Sequence, residues 1–411
     1  MQNKDELIAG LDLGTTKVCA AVGITKGDGL ELAGICNVPF KGVRKGLLVS
    51  LEEVIQSIRE ALKEAEVLSG FRIDTVYLGI GGEYTKRYNS HGSILLKDKI
   101  VKEADVRTVF DLAVANALPS AETEVIQIVL QEFIVDGQRG IQNPLEMAGG
   151  RLEVKVHVIS VGATVLIDVI KQLNRSGIHV DAIVLRQLAS SEAVLDMDER
   201  HIGVILMDIG GETTDIAIFS RGILRHTLSV PVGGNMITRD ITTVLRIPFP
   251  EAERIKKRYG CTLPSMIQSD ESIRIMHADG RRTKTLSKKY LSEIIEARAE
   301  EFLNFIKGKI VRLDLAGLIA SGVVITGGSA RMEGMIEISE QIFSLPVRIG
   351  IPKGIDLINE KVMSPEDATG VGLLLYGMKE REVAWFPEGR NDQNLGYGLG
   401  AKIVRWLKDF F

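Results

Sequence analysis

The stretch Leu11-Asp12-Leu13-Gly14-Thr15-Thr16-Lys17 returns much later in the chain as Met207-Asp208-Ile209-Gly210-Gly211-Glu212-Thr213-Thr214-Asp215. Each copy sets an apolar run before an Asp, a glycine turn and hydroxyls. Each then continues into a second apolar run, Val18–Val22 and Ile216–Phe219. A tight glycine turn lets backbone N–H groups converge on an anion, because glycine accepts positive φ without a Cβ clash. The Asp ahead of the turn is placed to hold Mg²⁺ through its waters. One such hairpin is commonplace in β-proteins. Two copies nearly half the chain apart predict two related domains that pinch one nucleotide phosphate tail between them. Asp12, Gly14, Thr15, Thr16 and Lys17 would stand on one side, and Asp208, Gly210, Gly211 and Thr213 on the other.

A chain of 411 residues is too long for one simple core, so two or more domains are expected. An apolar fraction of 45% and a charged fraction of 25% are ordinary for a globular protein. The net charge of -4 argues against a broad nucleic-acid surface. Cys19, Cys36 and Cys261 are scattered, with no zinc or redox spacing, and fit a reducing cytoplasm as small buried residues. Met1–Glu6 is polar and leads directly into the first strand, so no signal peptide is expected. No run reaches the roughly 18 apolar residues of a membrane span.

Strand patterns fall at Leu7–Gly23, Leu30–Val38, Val76–Ile80, Leu152–Val161, Ile202–Ser220 and Val323–Thr326. Helical periodicity falls at Leu51–Ala65, Glu103–Asn116, Thr164–Ser176 and Tyr290–Leu313. This alternation predicts α/β layers. After Gly81-Gly82 the texture changes. Residues 83–161 read as strand, helix, strand, strand, an insert within the first domain. A second insert, residues 241–322, carries a charged helix at Glu251–Tyr259 and the long helix at Tyr290–Leu313. Residues 381–397 turn polar and read as a flexible linker.

Val323-Val324-Ile325-Thr326-Gly327-Gly328-Ser329-Ala330-Arg331 reads as a buried strand, a double glycine and then a helix. Backbone without Cβ can lie flat beneath a purine and its ribose, and the helix start favours anions. Behind two Asp-Gly hairpins, Gly327, Gly328, Ser329 and Arg331 become candidate nucleotide contacts. Gly233 and Gly234 are further candidates. Glu253 and Lys256 either supply ribose and base contacts or form a solvated helix face.

Two phosphate hairpins, a Thr326-Gly327-Gly328 turn and the stretch Asp367-Ala368-Thr369-Gly370-Val371-Gly372 resemble the actin-like ATPase superfamily. Within it the chain resembles, over essentially its whole length, the FtsA family of bacterial cell-division proteins. The specific similarities are Gly81-Gly82-Glu83, Gln131-Glu132-Phe133-Ile134-Val135-Asp136-Gly137 and Arg151-Leu152-Glu153-Val154-Lys155-Val156-His157. To these add Gly233-Gly234-Asn235-Met236-Ile237-Thr238-Arg239-Asp240-Ile241 and Arg258-Tyr259-Gly260-Cys261. The resemblance implies an actin-like two-domain fold, with duplicated ribonuclease-H-like cores and ATP with Mg²⁺ as ligand. It assigns residues 1–82 and 162–186 to subdomain 1A and residues 83–161 to the family's own SHS2-like 1C. Residues 187–240 and 323–380 would form 2A with a helix returning to 1A, and residues 241–322 would form 2B.

Two departures bear on chemistry. Actin-like relatives often carry Glu-Pro where this chain has Arg186-Gln187. That glutamate would orient the attacking water, and an arginine cannot act as a base. Glu212 stands where a third glycine is typical, so a carboxylate near the turn is expected to weaken triphosphate binding unless Mg²⁺ or geometry keeps the charges apart. ATP binding is therefore expected, with slow hydrolysis at most. Gln187 and Glu192 are the remaining candidates to position water.

At about 100° per residue, Leu399, Ile403, Val404, Trp406, Leu407, Phe410 and Phe411 fill one arc. Lys402, Arg405, Lys408 and Asp409 fill the opposite arc. A basic polar face, an aromatic-rich apolar face and a preceding linker describe an interfacial helix at residues 398–411 that binds anionic lipid. The resemblance implies the same anchor. It also implies that the chain polymerises and tethers the tubulin-like protein FtsZ, bound through 2B, to the inner face of the cell membrane at the septum. Subdomain 1C would then meet a neighbouring subunit or later division proteins. The alternatives are an actin-like pilus-assembly protein, which would have no reason for such a tail, and a sugar kinase, which needs a carboxylate base that the spacing does not supply. A chaperone would need a further substrate domain.

Overall fold

The computed structural model describes residues 6–384 except 28, 41–42, 45–46, 49, 83–84, 118–122, 270, 277–282, 314 and 358–362. The expected membrane helix at 398–411, and the linker from 385 onward, lie outside the described residues. Two of the described sheets share one plan. In the first, the hairpin Leu7–Leu13 and Lys17–Lys26 is extended by Gly29–Pro39 on one side. On the other side it is extended by the parallel strands Thr75–Ile80 and His179–Leu185. In the second, the hairpin Val204–Ile209 and Thr214–Ser220 is followed by Ile223–Val230 and flanked by the parallel strands Gly322–Thr326 and Val347–Ile349. The order is the same in both, and the first adds Asp356–Leu357 at its edge. The central strands are apolar in unbroken runs because both faces of each sheet are covered.

Two helices join the halves, Arg186–Val194 and Ala368–Ala384. They cross so closely that a Cβ on Gly372 would lie 1.8 Å from the Ala189 carbonyl oxygen. Only glycine allows that approach, and it packs the returning helix, Ala368–Ala384, against both the first sheet and Arg186–Val194, the hinge helix. This helix continues to Ala384, four residues into the segment read as linker, because an uninterrupted run without Gly or Pro extends it.

The insert at 83–161 forms a separate antiparallel sheet in the order Thr85–Leu95, Arg151–Gly162, Thr123–Val135, Gln138–Ile141, with the helix Glu103–Ala117 on one face. Its own core joins Val106, Val109, Phe110 and Ala113 of the helix to Leu152, Val154, Val156 and Val158. The second insert packs the helices Gly234–Leu245, Phe249–Tyr259 and Lys288–Val311 with the small hairpin Ser272–Met276 and Thr283–Ser287. The expected limits at 186 and 240 fall at the first residue of the hinge helix and inside Gly234–Leu245. Ile202 ends a short helix, Met197–Ile202, instead of opening a strand, because Asp196 and Glu199 form a capping box there. No helix of the described residues is long and apolar enough to cross a membrane.

The insert's sheet meets the edge strand Ile223–Val230 through polar side chains. Gln131 Nε2 donates to the carbonyls of Leu224 at 3.1 Å and Arg225 at 2.8 Å. His157 is wholly buried; its Nδ1 lies 2.6 Å from Asn89 Oδ1, and its Nε2 lies 2.8 Å from Thr227 Oγ1. A neutral ring meets both contacts, donating at Nδ1 and accepting at Nε2. Burial, His226 and Arg87 push its pKa down to about 3. The unfolded chain takes up a proton near pH 6.5 that the folded chain refuses, so stability present above that pH is lost as pH falls toward 3. Acidification from pH 6.5 to 5 is expected to lower unfolding free energy by about 2 kcal/mol through this residue. Denaturant unfolding of His157→Gln should show a shallower loss over that range, and an equal loss would remove His157 as its source.

Candidate functional site

Both hairpins close in the same way. Gly14 N–H donates to the Lys17 carbonyl at 3.0 Å, and Gly210 N–H to the Thr213 carbonyl at 2.9 Å. A Cβ on Gly14 would stand 2.6 Å from Lys17 O, so the turn demands glycine. The two turns meet. Thr15 Oγ1 accepts the Glu212 N–H at 3.2 Å, and a Cβ on Gly211 would come within 2.4 Å of Thr16 Cγ2.

The second turn is also stitched to the elements that follow it. Gly234 N–H donates to Gly210 O at 3.0 Å, and Asn235 N–H to Gly211 O at 2.8 Å. Ser329 Oγ donates to Gly210 O at 3.1 Å, and a Cβ on Gly234 would lie 2.3 Å from that hydroxyl. A Cβ on Gly233 would strike the Gly210 and Gly211 carbonyls at 2.7 Å. Behind this turn Lys256 is 7% exposed, which removes the solvated-face reading for it. Its Nζ donates to Gly234 O at 3.0 Å and Thr238 Oγ1 at 2.8 Å, and pairs with Glu253 Oε2 at 2.7 Å. Burial lowers its pKa while Glu253 opposes the shift.

Gly327 follows the buried strand with φ 86 and ψ 171, a conformation open essentially to glycine alone. A Cβ there would lie 2.4 Å from Asp208 Oδ1 and 2.7 Å from Ile209 O. The expected helix does not start at this double glycine. A single 3₁₀ turn, Gly328–Arg331, comes first, and the helix Met335–Phe343 begins after Gly334, whose φ of 80 breaks the chain direction. The dipole of that helix therefore starts beyond the turn. Arg331 pairs with Glu366 at 3.0 Å, and Lys17 Nζ donates to Asn37 Oδ1 at 2.8 Å and to the Glu366 carbonyl at 2.6 Å.

Under the turns lie Asp12, Asp208 and Asp215, all buried, with Arg186 among them. Arg186 Nε is 3.2 Å from Asp12 Oδ1, and a terminal guanidinium nitrogen is 3.4 Å from Asp215 Oδ2. Thr369 Oγ1 donates to Asp208 Oδ2 at 3.1 Å, and Ser229 Oγ to Asp215 Oδ1 at 2.5 Å. Burial raises the pKa of Asp12 against the pull of Arg186 and Lys17. Burial likewise pushes Asp208 up to about 6, with Arg186 opposing and Asp215 and Asp12 adding to the rise. Burial works against the Arg186 charge, but the three carboxylates together raise its pKa. No three His, Cys, Asp or Glu side chains among the described residues gather closely enough to hold a metal by themselves.

Glu212 does not stand as a bare charge. Arg239 donates to both its oxygens, at 2.5 and 2.6 Å, and Asn235 Nδ2 donates at 2.7 Å. Glu192 is held by Arg200 at 2.9 Å and by Lys379. Gln187 is fully buried with both amide atoms unpartnered. Asp215 and Thr369 escaped the sequence reading. Asp215 had a signal: it pairs across its hairpin with Asp208, where Asp12 pairs with Cys19, so superposing the two repeats exposes it. Thr369 had none, since only the fold carries it to Asp208.

Two sheets of one strand order, hinged by crossing helices and closed over paired glycine turns, define an actin-like two-domain protein. Solved structures of that class are similar in fold. The chain covers 90% of its length against the PilM-PilN type IV pilus biogenesis complex, of which 98% of the matched chain is spanned, with a TM-score of 0.67 at 15% identity. Against MreB5 of Spiroplasma citri bound to ADP the coverage is 93% and 99%, with a TM-score of 0.54 at 15% identity. The family description "Cell division protein FtsA" matches residues 205–372, and "SHS2 domain inserted in FTSA" matches residues 82–160. Cell division protein FtsA of Pseudomonas aeruginosa is 41% identical over 92% of this chain and 90% of its own length. That of Neisseria meningitidis is 35% identical over 100% of both, and that of Escherichia coli 34% over 99% and 98%. The chain belongs to the FtsA family of cell division proteins, and the four-stranded insert is its SHS2 domain.

Replacing Gly327 with Ala should destabilise the fold by about 1–3 kcal/mol, from the disallowed backbone and the displaced Asp208 carboxylate. Denaturant unfolding of Gly327→Ala checks this, and unchanged stability would mean that the turn can relax.

Proposed function

We propose that this chain is an ATP-binding, actin-like division protein that polymerises and tethers FtsZ filaments to the inner face of the cell membrane. One observation carries the nucleotide reading: two glycine turns touch directly over a floor of buried carboxylates. The floor keeps unsatisfied atoms, Asp12 Oδ1, Asp215 Oδ2 and Thr213 Oγ1, and the turns pack so closely that neither Gly14 nor Gly211 could carry a Cβ. Such a cradle fits a magnesium nucleotide. Backbone N–H groups of the Gly14–Lys17 and Gly210–Thr213 turns, other than those of Gly14, Gly210 and Glu212 that bond within the protein, would face the phosphates. Asp12 and Asp208 would hold waters of Mg²⁺, whose chemical contribution is to neutralise phosphate charge. Gly327, Gly328, Ser329 and Arg331 would lie beneath the adenosine, with Gly233 and Gly234 allowing close approach. Glu253 and Lys256 would fix the ribose side through the helix they anchor. With Glu192 held by Arg200 and Lys379 and Arg186 standing where actin-like relatives often carry a glutamate, turnover would be slow. That also weighs against the kinase reading.

The remaining assignments follow from family membership and the chain's own pattern. Residues 241–322 would receive the FtsZ tail as 2B, and the SHS2 sheet as 1C would face a neighbouring subunit or later division proteins. The 398–411 arc would bind anionic lipid. Burying roughly 500 Å² there stabilises by about 12 kcal/mol at most, while ordering its residues at about 1 kcal/mol each offsets most of that. A single tail would hold weakly, and alignment of many in a filament would bind firmly through effective concentration.

Two measurements test these points. Asp12→Ala should weaken Mg²⁺-ATP binding by about tenfold or more in a filter assay; unchanged affinity would take Asp12 out of the site. With ATP present, anionic vesicles should sediment the full chain but not one ending at Gly396. Sedimentation of both, or of neither, would overturn the tail as anchor.

A further inference from the structure

Arg186 opens the hinge helix at the seam of the two sheets and is 5% exposed. It reaches Asp12 on the first hairpin and Asp215 on the second, so one side chain spans both halves. Its neighbours confine it closely: a Cβ on Gly81 would lie 3.0 Å from both Arg186 Cδ and Asp215 Oδ2. Arg186 Nε, Asp12 Oδ1 and Asp215 Oδ2 complete no hydrogen bond, so the contacts are ionic and can be remade when a ligand enters. Asp208 also acts on Arg186. Three buried carboxylates against one guanidinium leave two negative charges unmatched, the charge of one divalent cation. Lys17 acts on Asp12 as well, but its amine is engaged by Asn37 and the Glu366 carbonyl.

We propose that Arg186 is a resident counter-cation of the cleft, a positioning residue that holds Asp12 and Asp215 together so that the two halves stay closed without metal or nucleotide. The inference rests on the nucleotide reading above. A carboxylate at this position could not do this, because four acidic groups would repel until a metal arrived. Arg186 and Mg²⁺ are then partly redundant cations, and removing one makes the fold depend on the other.

Thermal melting of the full chain in EDTA and with Mg²⁺-ADP, for the wild type, Arg186→Gln and Arg186→Lys, tests this. Wild type should melt cooperatively in EDTA and gain modestly from Mg²⁺-ADP. Arg186→Gln should melt lower in EDTA, and Mg²⁺-ADP should raise its midpoint by about 5 °C more than it raises that of wild type. Arg186→Lys, which keeps the charge, should stay near wild type in EDTA. An arginine that only fills space would lower both Gln midpoints equally, and that result overturns the proposal. So does a Lys variant as unstable in EDTA as the Gln variant, which decides the matter if the Gln variant fails to fold. If Mg²⁺-ADP stabilises none of the three, the nucleotide reading itself falls.

Discussion

The contact between the two glycine turns is the constraint on which the remaining architecture hangs. Thr15 and Thr16 can meet Gly211 and Glu212 only if both sheets present their hairpins edge to edge, and only if neither turn carries a Cβ at its tightest point. That geometry requires the hinge helix and the returning helix to cross at Gly372 and Ala189. It also forces three carboxylates into one buried region. Charges removed from water are costly unless paired, so the seam needs a cation. Arg186 meets that need at the junction, where the chain passes from one half to the other.

Around this floor the polar network keeps other charges out of the way. Glu212, within the second turn, is drawn onto Arg239 and Asn235 of the following helix. Glu192 is drawn onto Arg200 and Lys379 on the far side of the hinge. The second turn is fastened by Gly234, Asn235 and Ser329, and the helix behind it by Lys256. The second turn is thus tied, directly or through Gly234, to three segments that follow it in the chain.

The SHS2 insert has its own core but is not free of the second sheet. Gln131 and His157 bind the edge strand Ile223–Val230, whose backbone and Thr227 would otherwise face an unsatisfied boundary. A neutral, buried histidine there ties the orientation of the insert to the strand that follows the second hairpin. The insert and the cleft are therefore linked through two strands of one sheet.

Much of this was legible in the chain. Apolar runs around Asp-Gly turns gave both hairpins, periodicity gave the long helices, and the change of texture after Gly82 marked the insert. These depend on local chemistry: backbone freedom at glycine and the side-chain period of each element. Other features were not local. The helix after Gly327-Gly328 starts later than its pattern suggested, because Gly334 breaks the chain there. Lys256 reads in the sequence as either a nucleotide contact or part of a solvated helix face, and it is buried because its partners lie on a neighbouring helix. Arg186 read as the loss of a catalytic carboxylate, and Asp215 was given no role. Only folding brings residues 12, 186 and 215 within a few ångströms, and charge interactions in a buried site depend on that separation. Sequence alone determined the two hairpins, the insert and the kinship; tertiary structure decided which charges face one another, because Coulomb energy follows distance in space and not along the chain.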